Sequence, residues 1–197
     1  MSSSSLRPDL AMISQWIAPG SRVLDLGCGD GELLYWLNTH HRCTGVGVEI
    51  ADEKVLSCVQ KGVAVIQADI DRGLAMFGRG GFDVVVLAQA LQATHETERV
   101  LREIGEIGHE CVASIPNFGH WSHLVSLAQG RMPVNKRLPY AWYNTPNLHF
   151  ATARDFETLL EDLGFSILDR AYLNESKVIH RWPNLRSTLA LYRFKKK

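Results

Sequence analysis

Gly27, Gly29 and Gly31 lie between the apolar run Val23 to Leu26 and a helical pattern opening at Glu32. Asp25 stands two residues ahead of the first glycine, and Glu49 closes the next apolar run. These residue types at this spacing suit an adenosine-type ligand. Glycines make a tight turn where a ligand can touch bare backbone. A helix start beyond them offers unpaired N–H groups to polar ligand atoms. Glu49 lies close to the separation at which dinucleotide-binding units place a ribose-binding acid. A carboxylate at the end of a buried strand needs hydrogen bonds. Two ribose hydroxyls would supply them, and so would a salt bridge or capping of the helix that opens after Ala51.

The glycine spacing is G-x-G-x-G, not the dinucleotide pattern G-x-G-x-x-G. With Asp25 ahead and Glu49 downstream, it resembles motif I of the class I S-adenosylmethionine-dependent methyltransferases. The resemblance implies a cofactor, S-adenosylmethionine or its product S-adenosylhomocysteine. It also implies roles along the chain. Asp25 orients the loop and helps hold the methionine part, beside Gly27, Cys28 and Gly29. Glu49 takes the ribose, next to Ile50. Asp69 accepts from the adenine amino group, and Ile70 packs on the ring. A helix cap is the competing role for Asp69.

The elements that would position these residues alternate. Helical spacing covers Asp9 to Ile17, Asp30 to Thr39, Asp52 to Lys61, Glu96 to Ile107, Gly119 to Gly130 and Thr152 to Leu163. A short helix is expected over Asp71 to Phe77. Strands are expected over Ser21 to Leu26, Cys43 to Ile50, Val63 to Ala68, Phe82 to Leu87, Glu110 to Ile115, Phe165 to Leu173 and Ser187 to Phe194. Continuous apolar runs such as Phe82 to Leu87 suit a parallel sheet covered on both faces. The fold class is therefore α/β, and the resemblance sharpens it. It implies a Rossmann-like three-layer sandwich with seven mostly parallel strands, the last inserted antiparallel. Residues 1–197 are expected to form one domain, with a loose terminus over 1–8. Residues 131–149 carry three prolines with Tyr140, Trp142 and Tyr143. They are expected to form an ordered loop over the sheet's carboxyl edge.

Composition narrows the function classes. Formal net charge is zero and the sequence pI is about 7.1, whereas a nucleic-acid binder normally carries a basic excess. No apolar run approaches membrane-spanning length, and the first residues lack the apolar core of a signal peptide. Cys28, Cys43, Cys58 and Cys111 form no C-x-x-C pair and read as reduced thiols of a cytoplasmic protein. Cys28 is the exception, expected to face the ligand. His120 and His123 share a helical face but lack a third ligand of similar quality, so no metal is expected and both read as surface or ligand-facing. G-x-S-x-G is absent, which disfavours an α/β-hydrolase.

The second half narrows the resemblance. Pro116-Asn117-Phe118-Gly119-His120-Trp121, Gly130-Arg131-Met132-Pro133-Val134, Leu138-Pro139-Tyr140 and Thr145-Pro146-Asn147-Leu148-His149 resemble the MetW family of methionine-biosynthesis proteins. Two positions depart from it. Ser122-His123 stand where basic residues are expected, and Asn144 stands where an acid is expected. The resemblance implies a role in methionine biosynthesis beside a homoserine O-acyltransferase of the MetX type. If the chain instead methylates a small molecule, Asn117, His120, Tyr143 and His149 are the acceptor-pocket candidates. No catalytic base is visible.

Overall fold

Eight strands hydrogen-bond into one sheet in a computed structural model that describes residues 6–135 and 138–197. In chain order the elements are α1 (Pro8–Trp16), β1 (Arg22–Leu26), α2 (Glu32–His41), β2 (Thr44–Glu49), α3 (Asp52–Gln60), β3 (Val65–Gln67) and β4 (Phe82–Ala88). They continue with α4 (Thr97–Ile107), β5 (Gly108–Pro116), α5 (Trp121–Ala128), α6 (Ala153–Asp162), β6 (Phe165–Asn174), β7 (Lys177–Val178), α7 (Pro183–Arg186) and β8 (Leu189–Lys196). Sheet order is β3-β2-β1-β4-β5-β8-β6-β7.

The first five strands in that order are parallel, and β8 inserts antiparallel between β5 and β6. The expected topology is therefore present, with eight strands rather than seven. The eighth is the two-residue strand β7, paired antiparallel with β6 at the edge. Its brevity left no alternating pattern to read.

Alternation along the strands builds a core on each face. Leu24, Leu26, Val85, Leu87, Ala113 and Tyr192 pack with α4 and α6 on one side. Val23, Val84, Val86, Val112 and Leu191 pack with α1 and α2 on the other. Thr152 caps α6 with a reciprocal capping box to Asp155, as its sequence suggests.

Three local expectations change. The helix expected over Asp71 to Phe77 is a single 3-10 turn, Ile70–Arg72, stopped by Gly73 at φ 95°. Unexpected turns form at Leu91–Ala93 and at α7. The loose terminus expected over 1–8 lies outside the described residues for 1–5. Beyond them, Arg7 grips Asp9 through two hydrogen bonds of 2.7 and 3.0 Å, and Pro8 opens α1, where its missing N–H costs nothing.

Candidate functional site

Strand order reverses at β1, which has β2 on one side and β4 on the other, all three parallel. Open α/β sheets bind ligands at such a switch point, beyond the carboxyl ends of the strands. The glycine loop occupies it. Gly27, Gly29 and Gly31 all have positive φ, which side-chain-bearing residues rarely adopt. A Cβ on Gly27 would stand 2.7 Å from that of Ala90, so the loop can lie this close to the end of β4 only with glycine there.

Both carboxylate oxygens of Glu49 reach backbone amides. Oε2 accepts from the Gly29 N–H at 2.9 Å, and Oε1 from Ile50 and Ala51 at 2.8 and 3.0 Å. The loop is pinned again where the Lys61 ammonium donates to the Asp30 carbonyl and carboxylate at 3.0 and 2.6 Å. Sequence reasoning set ribose binding and helix capping against each other at Glu49. The structure adds a third role, a clamp across the loop. About four lone-pair sites serve a carboxylate, and three are used here.

Asp25 is the buried carboxyl group of the site, 2% exposed, and its Oδ1 has no hydrogen-bond partner. Burial raises its pKa to about 7; Arg7 opposes the rise and Glu49 adds to it. An orphaned acceptor beside a glycine loop fits the cationic amino-acid end of the implied cofactor. Asp69 accepts from the Asp71 N–H at 2.9 Å, so its capping role is real. It also lines a cavity of about 410 Å³ with Gly27, Glu49, Ile50, Ile70 and Gln89. Five of the eight residues expected at the cofactor thus line one cleft, Gly29 joins it through Glu49, and Asp25 and Cys28 lie outside its lining.

Cys28 is a correction. Its thiol turns away into the core, 3.9 Å from the Cys58 sulfur, and burial pushes its pKa far up. A Cβ on Gly47 would sit 2.4 Å from that sulfur, so the neighbouring strand makes room for it.

Gln89 was missed. It is one of four non-glycine residues at positive φ among the described residues, at 57°. Its N–H donates to Ser114, and its side-chain amide to the buried Asp9 at 2.6 Å. Strain held by surrounding bonds is typical of functional sites. Its place just past β4, at the carboxyl edge, was the available signal.

The four acceptor-pocket candidates are not brought together. Asn117 is fully buried and its amide is spent on the fold. It donates to Asn184 and Ser187 carbonyls, both at 2.8 Å, and accepts from Gly119 and Ala153, both at 3.1 Å. Asn117→Ala should therefore destabilise the protein by about 2–4 kcal/mol, because several buried partners lose their bonds at once. A urea melt unchanged from wild type would refute that.

His120 and His123 are buried rather than surface or ligand-facing. His123 lies between the Phe118 carbonyl at 3.1 Å and the Asn135 amide at 2.7 Å. Burial lowers both histidine pKa values, His120 also through its neighbour. No metal-binding cluster exists among the described residues. Tyr143 is 74% exposed and lines neither the cleft nor its neighbour. Among the described residues of 131–149, Leu148 and His149 meet the carboxyl edge, donating backbone N–H groups to the Gln92 carbonyl. His149 alone of the four lines a second cavity, about 710 Å³, floored by Leu91, Ile115, Phe156 and Leu159. His95 borders both cavities.

The chain resembles known proteins at two levels. Solved S-adenosylmethionine-dependent methyltransferases share its fold. One, from Mesorhizobium loti, superposes with a TM-score of 0.70 at 19% identity, over 96% of each chain. A putative one from Listeria monocytogenes gives 0.71 at 14% identity, over 96% of this chain and 98% of that one. Identities this low carry the fold alone. A protein of Rhodopirellula baltica, described as bifunctional methionine biosynthesis protein MetXA/MetW, is 35% identical over 180 residues. That match covers 85% of this chain but spans only 29% of the relative. The model of the family described as methionine biosynthesis protein MetW matches residues 7–194. With its class I methyltransferase-like sheet and that match over nearly the whole chain, the protein belongs to the MetW family of methionine biosynthesis.

Proposed function

We propose that this chain binds S-adenosylmethionine or S-adenosylhomocysteine in the switch-point cleft and acts as a partner subunit of a MetX-type homoserine O-acyltransferase. The observation that carries the partnership is the relative in which MetXA and MetW occur in one chain. Cofactor binding is supported by the clamped glycine loop and the unpaired Asp25 oxygen. In this reading Asp25 holds the cationic amino-acid end beside the glycine loop, Glu49 offers its remaining lone pair to the ribose, and Asp69, Ile50 and Ile70 surround the base. A subunit that binds the downstream product of a methionine pathway could report its level to the acyltransferase. The four free thiols suit action in the reducing cytoplasm.

The host's acyltransferase and this chain are expected to co-elute by size exclusion at micromolar concentration. S-adenosylmethionine should change the enzyme's activity in the mixture and not alone. Separate elution with unaltered activity rejects the partnership. A second reading, methyl transfer to a small molecule, is favoured by the 710 Å³ cavity that shares His95 with the cleft. Transfer from a sulfonium to an acceptor that is already nucleophilic needs chiefly positioning. His149 and the apolar floor would do the positioning.

A further inference from the structure

α5 turns its apolar side outward. Trp121, Leu124, Val125 and Leu127 are each between 42% and 54% exposed, whereas the one residue the helix buries is His123, at 3%. The orientation is locked, since the His123 ring is held by the Phe118 carbonyl and by Asn135 and packs 5.2 Å from the Phe118 ring. The helix ends in a glycine cap, Gly130 at φ 74°, with the Arg131 N–H donating to the Ser126 carbonyl at 3.0 Å. Met132 and Val134, both exposed, follow in the coil just beyond it. Contiguous exposed apolar surface of this kind marks an interaction site.

Charge says what kind of partner fits. Residues 111–154 contain no Asp or Glu, and Arg131 directly follows α5, in a chain whose formal net charge is zero. Like charges would meet if two copies paired through this face. A lipid-surface helix carries Lys or Arg along its polar side, and Trp121–Ala128 has none. The complement is a protein surface with an apolar centre and a carboxylate rim.

We propose that α5, with Met132 and Val134 after it, is the docking face for the acyltransferase subunit, met by an apolar patch rimmed with Asp and Glu. This rests on the partnership proposed above. Trp121 is its anchor, an exposed tryptophan on a rigid helix.

The test uses the full chain and the host's own homoserine O-acyltransferase, followed by calorimetry. Leu124→Glu/Val125→Glu should weaken association at least tenfold, with the thermal melt and S-adenosylhomocysteine affinity unchanged. Leu56→Glu, at an exposed leucine on α3, should leave association unaltered. If the double variant misfolds, Met132→Glu, in the coil beside α5, takes its place and the same loss is expected. Wild-type association that both face variants retain overturns the docking face and leaves the partnership standing. No wild-type association removes both. A dimer of the isolated chain that the variant breaks, or binding to phosphatidylglycerol vesicles that the variant abolishes, assigns the face to another occupant and overturns the proposal.

Discussion

Glu49→Ala is expected to lower the melting temperature and to weaken S-adenosylhomocysteine binding tenfold or more. The carboxylate holds three backbone amides, from Gly29, Ile50 and Ala51, and so joins the glycine loop to the start of α3. Bonds to charged groups contribute about 1.5–3 kcal/mol each when a partner is deleted. A tenfold loss of affinity needs only about 1.4 kcal/mol. The affinity loss has two sources in the proposed site, the ribose contact and the freed loop. Glu49→Gln should not rescue stability, because a side-chain amide has one acceptor oxygen and would turn its own N–H groups toward a backbone donor. Differential scanning calorimetry and titration of the same samples check this. An alanine variant with wild-type melting but weak binding would leave Glu49 a ligand contact and no clamp. Wild-type values in both would remove it from the site.

Asp25→Asn should stabilise the unliganded protein at pH 8 and much less at pH 5. Burial raises the native pKa from 3.8 to about 7, so the folded chain keeps a proton that the unfolded chain releases. Stability from this group is complete below about pH 3.8 and declines as pH rises toward 7, after which the loss is constant. A shift of this size corresponds to at most about 4 kcal/mol. Asparagine carries no charge, so its advantage over wild type should grow through that window and then level off. Ligand binding should move the other way. If Asp25 meets the cofactor's ammonium, the variant loses affinity at pH 8 even as it gains stability. Melts and titrations at pH 5, 6, 7 and 8 separate the two effects. A stability difference independent of pH would mean that Asp25 is ionised in both states.

Much of this protein follows from local patterning. Three positive-φ glycines, a strand of Val23 and Leu24 before them and a helix opening at Glu32 are short-range facts, so the loop, the sheet and the acids at its edge were legible. The family-specific blocks from Pro116 to His149 were legible for the same reason. Identity written in contiguous residues needs no folding to be read.

Tertiary structure decided what contiguous residues could not. Asn117 and His120 look like acceptor-site residues beside Phe118 and Trp121, but Asn117's partners lie about seventy residues downstream, at Asn184 and Ser187. α5 has a helical apolar stripe, and periodicity identifies such a stripe without saying whether a core or a partner covers it. Its buried side was set by His123, through a bond to an asparagine twelve residues on. Glu49's clamp on Gly29, Gln89's hold on Asp9 and the inward turn of Cys28 toward Cys58 likewise join residues 20, 80 and 30 positions apart. A polar side chain's role depends on which neighbour fills its hydrogen-bonding sites first, and those neighbours come from across the sheet.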